Sequence, residues 1–192
     1  MPASSRKFAA LLFAALCLAP PARSGDSPVV TSTRQGDAIE IRASARLSVE
    51  RDAVWRVLTD YGRYVEFIPD LRSSRVVSRS GTTAVVEQEG DATFGPFRIP
   101  LEITFRIEEH RPQQLESHAV AGSLRALESR YTLLPDRDGT RLVYFGVVRP
   151  GFPFAAWFAQ SAIEANVRRQ FVALVNEVER VHAGSAPGAA SR

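Results

Sequence analysis

The sequence predicts an α+β fold: a curved antiparallel sheet of about seven strands, two short helices after its first strand, and a long C-terminal helix laid over the sheet. Three observations predict it. Residues 39–49 alternate strictly between apolar and polar, further strand-like segments crowd residues 71–148, and a long helix beginning near Phe154 carries an apolar stripe at spacings of three and four from Ala159 to Val181. Antiparallel strands expose one face to water and need the other covered. The C-terminal stripe supplies that cover.

Taken from the N-terminus, Arg6 and Lys7 precede an apolar run from Phe8 to Ala19, then Pro20, Pro21 and the small-x-small triplet Ala22-Arg23-Ser24. This is the layout of a secretory signal peptide over residues 1–24, cleaved after Ser24. The run falls short of the roughly 20 apolar residues of a membrane span, and an uncleaved anchor is the alternative reading. Cleavage would remove the single Cys and the single Met, so thiol chemistry, disulfides and Cys-ligated metals are not expected in an exported chain. The net charge of +3 belongs to this leader: Arg6, Lys7 and Arg23 lie in it with no acid, and the remainder is formally neutral. A nucleic-acid partner, which needs clustered excess cation on the folded domain, is therefore not expected. With 192 residues, 45% of them hydrophobic, the chain can build one domain with a sizeable core.

Residues 25–37 are polar and turn-rich and read as a flexible lead-in. A domain over 38–183 follows. In its first strand Ile39, Ile41, Ala43, Ala45, Leu47 and Val49 form one apolar face. Ala53, Val54, Trp55, Val57 and Leu58 then suit a short helix over 51–59. Tyr61, Tyr64, Val65, Phe67 and Ile68 suit a second, stopped by Pro69. Strands are expected over 71–79 and 82–90 around a Ser80-Gly81 turn, and over 97–107, where Phe97, Ile99, Leu101, Ile103, Phe105 and Ile107 alternate with polar residues. Pro100 marks that strand for an edge position or a bulge. Segments 114–121 and 124–134 flank Gly122-Ser123, and Asp138-Gly139 turns the chain into a last strand over 140–148. Ala159, Ile163, Val167, Phe171, Leu174, Val178 and Val181 make the stripe of the long helix, which Gly184 ends. Residues 184–192 read as a disordered tail.

Enzymatic signatures are missing. His110, His118 and His182 form no HxH or HExxH arrangement, and there is no GxSxG, GxGxxG or P-loop. No catalytic residue, metal site or cofactor is therefore assigned. Two polar sets bear on chemistry. Glu128 and Arg130 share a strand face with Thr132, opposite Leu127, Tyr131 and Leu133, while Glu87 and Glu89 alternate against Val86 and Gln88. Pointed inward, either set could orient a polar head group or act as acid and base; pointed outward, each is a solvated face, which unpaired charge favours. His118 and Tyr144 are further candidates for polar contact. Phe152, Phe154, Trp157 and Phe158 crowd the loop-to-helix junction. They either plug the end of the core or form a mouth that touches an apolar ligand or a lipid surface.

The segment RDAVWRVLTDYGRYVEFIPDLRSSRVVSR (51–79) resembles the helix–helix–strand opening of the START-like, or SRPBCC, group of polyketide cyclase/dehydrase and coenzyme Q-binding proteins. So do VVEQEG (85–90), DGTRLVYFGVV (138–148) and NVRRQFVALVNEVER (166–180). The resemblance spans about residues 38–183 and implies the helix-grip fold, in which an antiparallel sheet curls around the C-terminal helix and encloses an apolar cavity. On that arrangement Trp55, Phe67, Ile68, Phe97, Ile103, Phe105, Tyr131 and Tyr144 are candidate cavity residues, Phe152, Phe154, Trp157 and Phe158 the mouth, and Glu128, Arg130 and His118 candidate polar contacts. The function expected is non-enzymatic binding of a hydrophobic small molecule in the periplasm or outside the cell, with transient membrane-surface contact. Burial would supply the affinity at about 25 cal/mol per Å². The resemblance implies a lipid, an isoprenoid quinone or a polyketide as guest. An aromatase/cyclase-like enzyme in the same cavity is the runner-up, and a protein-interaction module, which an exported neutral domain disfavours, comes third. The sequence leaves the oligomeric state open.

Overall fold

A computed structural model describes residues 27–150 and 156–185, apart from the side chains of residues 156–158. The strands are β1 (Val29–Gln35), β2 (Ala38–Leu47), β3 (Leu71–Ser80), β4 (Thr83–Phe94), β5 (Phe97–His110), β6 (Gln114–Gly122), β7 (Ala126–Asp136) and β8 (Gly139–Arg149). The helices are α1 (Arg51–Thr59), α2 (Tyr64–Phe67), entered through a 3-10 turn at Tyr61–Arg63, and α3 (Ala156–Ser185). The strands form one antiparallel sheet in the order β1-β2-β8-β7-β6-β5-β4-β3.

Helix α3 packs on β1 and β2 at one side of this sheet and on β4 near the other. A single helix reaches both only because the sheet curls around it. Bulges on β3, between Leu71/Ser73 and Val76/Ser78, and between Thr104 and Phe105 against β6, add local twist to that curl. The concave face carries the core: Ile39, Ile41 and Leu47 from β2, Val86 and Phe94 from β4, and Leu133 and Leu142 from β7 and β8 meet Phe171, Leu174 and Val178 of α3. Val54, Trp55, Val57 and Leu58 of α1 are buried against the same core.

Most of the expected elements lie where the periodicity puts them, with three differences. The segment read as a flexible lead-in contains β1, which pairs with β2 from Val29↔Ser44 to Gln35↔Ala38 and raises the strand count to eight. Only Val30 is buried on it, so no apolar alternation announces it. Its fastenings are polar instead: Ser32 Oγ donates to Glu164 Oε2 (2.6 Å), and Arg168 donates to the Val30 carbonyl (2.6 Å). The 82–90 strand runs on to Phe94 because its hairpin partner continues alongside it to Phe97. Finally, α3 includes Gly184 and ends at Ser185, whose hydroxyl caps the Val181 carbonyl (2.8 Å). The expected signal peptide (1–24) and residues 186–192 of the expected tail lie outside the described residues.

Pro100 sits in an edge position of an internal strand. Strand β5 pairs with β6 only from Ile103↔Gly122 onward, with Ser123 bonded to the Glu102 backbone just beyond, so residues 97–101 are paired on the β4 side alone. The β4–β5 hairpin therefore outruns the sheet, and the end of β4 outruns β3, whose pairing stops at Leu71↔Gly90. Asn166 of α3 covers the exposed backbone. Its Nδ2 donates to the Thr93 carbonyl (2.9 Å), and its Oδ1 accepts from the Thr93 amide (3.3 Å). Backbone groups that a missing strand would have satisfied are thus paired by a side chain.

Candidate functional site: two lobes between sheet and helix

Between the concave sheet and α3 lie two adjoining recesses of about 180 Å³ and 170 Å³, which share Leu71, Gln88, Phe105, Leu127 and Gln170 as lining. Each holds several water-sized volumes, and as a pair they fall at the lower end of ligand pockets, roughly 300–1,000 Å³. The first, an apolar lobe, is walled by Phe94, Leu101, Ile103, Leu124, Val148 and Ile163. The second contains all four tyrosines of the chain: Tyr61, Tyr64, Tyr131 and Tyr144.

Small residues make the space. On the inner face of β4 the walls are Gly90 and Ala92. Gly90 is required by the close approach of the preceding turn, since a Cβ there would stand 2.6 Å from the Asp70 carbonyl oxygen. Asp70 itself adopts φ 64°, a left-handed conformation that Asp tolerates better than most residues. On β8, a Cβ at Gly146 would meet the Tyr144 hydroxyl at 2.5 Å, so the missing side chain is what lets the phenol lie along its own strand.

The polar groups are ordered by depth. At the rim of the apolar lobe Asp70 accepts hydrogen bonds from Arg98 (2.9 Å) and Arg169 (3.0 Å), and Asp91 pairs with Arg72. Inside the tyrosine lobe, the Tyr61 hydroxyl donates to Glu109 Oε1 (2.8 Å), the Tyr64 hydroxyl donates to the Leu58 carbonyl (2.6 Å), and Ser129 offsets part of the effect of burial on Tyr144. Tyr131 stacks at a tilt on Tyr144, ring centroids 4.9 Å apart, and its hydroxyl has no hydrogen-bond partner among the described residues. Burial pushes the pKa of all four phenols up, that of Tyr144 to about 12, so they are neutral donors at any ordinary pH.

The expected site residues separate into groups. Ile68, Ile103, Phe105, Tyr131 and Tyr144 line the lobes. Trp55 does not: it is buried at 4% exposure in the core beneath α1. Phe67 packs edge-to-face on Tyr64 (5.5 Å) and lines neither lobe. Phe97 is 66% exposed at the hairpin tip, where β6 no longer flanks β5. Glu128, Arg130 and His118 lie on the convex face. His118 is paired across strands with Glu128, and Arg130 is ion-paired with Glu116 (2.9 Å), so none reaches either lobe. Glu87 likewise faces outward to Arg75, leaving Val86 and Gln88 inside. Phe152 and Phe154 lie outside the described residues; Trp157 and Phe158 belong to α3, but their side chains are outside the description.

Sequence reasoning missed Tyr61, Tyr64, Ser117, Ser129, Asn166 and Gln170 as lining residues. For Ser129 a signal existed: counting by twos from Tyr131 along β7 reaches it, then Leu127.

Comparison with known proteins agrees with this architecture. No curated protein matches the sequence. Among solved structures, the STAR-related lipid transfer protein of Xanthomonas axonopodis superposes with a TM-score of 0.68 at 18% identity, covering 80% of this chain and 94% of the other. The Zhui aromatase/cyclase of Streptomyces sp. R1128 gives 0.64 at 15% identity, over 78% and 98%. A START superfamily protein of Mycobacterium smegmatis gives 0.62 at 11% identity, over 75% and 98%. At such identities these similarities establish the START-like helix-grip fold alone. The profile of the family described as polyketide cyclase/dehydrase and lipid transport matches residues 47–175, which covers both short helices, β3 to β8 and most of α3, and the chain belongs to that family.

Proposed function

We propose that the chain is an exported binding protein that holds a hydrophobic small molecule, such as a lipid, an isoprenoid quinone or a polyketide-like compound, in the two lobes between sheet and α3. The observation that carries this reading is the pair of adjoining recesses walled by apolar side chains at the centre of the domain. Affinity would come from desolvating the guest at about 25 cal/mol per Å² of buried surface. The described names of family and neighbours, lipid transport and lipid transfer among them, support the same class of guest. Export rests on the leader sequence, and contact with a lipid surface on the aromatic residues 152–158 together with the exposed Phe97.

Binding is favoured over aromatase/cyclase chemistry by the disposition of the acids. Among the described lining residues the carboxylates are Asp70 and Asp91, both at the rim and both held by arginines. A general base needs a free carboxylate or imidazole within hydrogen-bond reach of the guest.

The test is organic extraction of the purified chain followed by mass spectrometry, with uptake of an apolar fluorophore, diphenylhexatriene, as a second readout. An apolar guest or saturable uptake is expected. Failure of both overturns the proposal. Fractionation of expressing cells, with N-terminal sequencing of the processed chain, tests export; a cytoplasmic chain that retains residues 1–24 overturns that part.

A further inference from the structure

We propose that the tyrosine lobe is a subsite for an uncharged head group bearing a hydrogen-bond acceptor, such as a ketone or quinone carbonyl, with the Tyr131 hydroxyl as its donor, while the hydrocarbon part of the guest occupies the apolar lobe. The inference rests on the binding reading above and specifies which amphipathic molecules that site takes.

The argument begins with the donors. Of the four tyrosine hydroxyls in this lobe, those of Tyr61 and Tyr64 donate to Glu109 and the Leu58 carbonyl, and Tyr144 has Ser129 as its polar neighbour. Tyr131 is the one whose hydroxyl has no partner among the described residues, and its ring is held in place against Tyr144. A phenol positioned by packing with an uncommitted O–H is a preorganised donor, and it favours any guest that places an acceptor there. Gln88, at the junction of the lobes, spends one of its two amide N–H donors on Ser74 Oγ (3.2 Å).

Charge then narrows the class. Among the described residues no Asp, Glu, Arg or His lines the tyrosine lobe. A carboxylate or phosphate placed there would lose its hydration without gaining a counter-charge, whereas a neutral carbonyl loses little and gains one hydrogen bond. The interior of the apolar lobe offers an anion no counter-charge either: its ionisable lining groups among the described residues are the carboxylates Asp70 and Asp91, already paired with arginines at the rim. Its walls of Phe94, Leu101, Ile103 and Val148 suit a chain without heteroatoms.

The experiment compares three fluorescent probes on the purified full chain and on Tyr131→Phe, a variant that removes one oxygen and leaves the ring packing intact. Laurdan carries a neutral aryl ketone on an alkyl tail, diphenylhexatriene is a pure hydrocarbon, and cis-parinarate is a fatty-acid anion. Laurdan should bind the parent chain. In Tyr131→Phe it should bind about 2- to 10-fold more weakly, the worth of one hydrogen bond, with its emission shifted to the blue as the carbonyl loses its donor. Diphenylhexatriene should bind both chains equally, and cis-parinarate at least about tenfold more weakly than laurdan. Laurdan binding and emission unchanged by the substitution, or parinarate binding as tight as laurdan, overturns the head-group assignment while diphenylhexatriene uptake leaves the binding reading standing. A parent chain that takes up none of the three overturns both.

Discussion

Replacing Ala92 by Leu tests whether the apolar lobe is real space. Ala92 is buried on the inner face of β4, between Gly90 and Phe94, and lines that lobe. Leucine adds three carbons at about 0.8 kcal/mol each, so about 2 kcal/mol should be recovered if they enter the lobe without strain. In a chain of this size that raises Tm by about 4–8 °C. The same side chain occupies volume that a guest would need, so diphenylhexatriene uptake should fall as Tm rises. Calorimetry and fluorescence titration on one preparation read both quantities. If the sheet and helix were solidly packed here, the substitution would instead overpack the core and cost about 1–3 kcal/mol. A lower Tm with unchanged uptake therefore refutes the reasoning, because the sign of the stability change separates filled space from forced space.

Further outcomes follow from the same geometry. Gly90→Ala sets a methyl group 2.6 Å from the Asp70 carbonyl and should lower unfolding stability by about 1–3 kcal/mol, read as a lower urea midpoint; an unchanged midpoint would show that the turn has room to retreat. Because burial raises all four tyrosines, spectrophotometric titration of the folded chain should show no phenolate appearing near pH 10, the ordinary value. A phenol with a raised folded value contributes its stability in full below pH 10 and loses it as pH climbs, towards about 12 for Tyr144, so ionisation should coincide with alkaline unfolding. A separate phenolate step near pH 10 with the fold intact would contradict the placement. Glu177 works in the opposite direction: the Arg180 guanidinium hydrogen-bonded to it holds its carboxyl below the ordinary 4.5. Its contribution is present above that pH and fades as pH falls below it, so Glu177→Gln should lower stability at pH 7 and flatten the acid limb of the stability curve. An acid limb as steep as that of the parent would assign the loss to other groups.

The periodicity of the sequence reveals those elements whose burial is one-sided. Strand β2 alternates apolar and polar residues from Ile39 to Leu47, and its odd-numbered residues over that span are buried. Helix α3 shows its stripe for the same reason, with Ile163, Phe171, Leu174 and Val178 inside. What stays hidden is whatever is held by polar bonds or decided by distant neighbours. Strand β1 is fastened through Ser32 and a backbone carbonyl, and no hydropathy pattern reports such contacts. Asn166 falls on the apolar stripe of α3 and looks like an interruption, yet its amide completes the backbone pairing of Thr93. The phase of β5 is legible, but the fate of Phe97 is not, because its exposure depends on where β6 stops, six positions further along β5 at Ile103. Trp55 shows the converse error. A large aromatic on an amphipathic helix reads equally well as cavity wall or as core, and only the packing of α1 against α3 and the sheet makes it core.

Protein interiors close-pack, and a void forfeits contacts on every side that lines it. Two features of this chain work against closure. Along the inner face the positions that branched residues would fill are occupied by Ala84, Gly90, Ala92, Ser117, Ser129 and Gly146. Such residues cannot reach across to α3. The helix, for its part, is tied at both flanks by bonds of fixed length. On the β1 side Ser32 is hydrogen-bonded to Glu164 and Gln160; on the β4 side Asn166 holds Thr93 and Arg169 holds Asp70 (3.0 Å). Hydrogen bonds contribute only about 1 kcal/mol each in net terms, but they weaken steeply when bent or stretched. Apolar packing at one flank alone would let α3 settle toward the sheet until the recess closed. Polar ties at both flanks set its height, and the small residues beneath it keep that height from being filled.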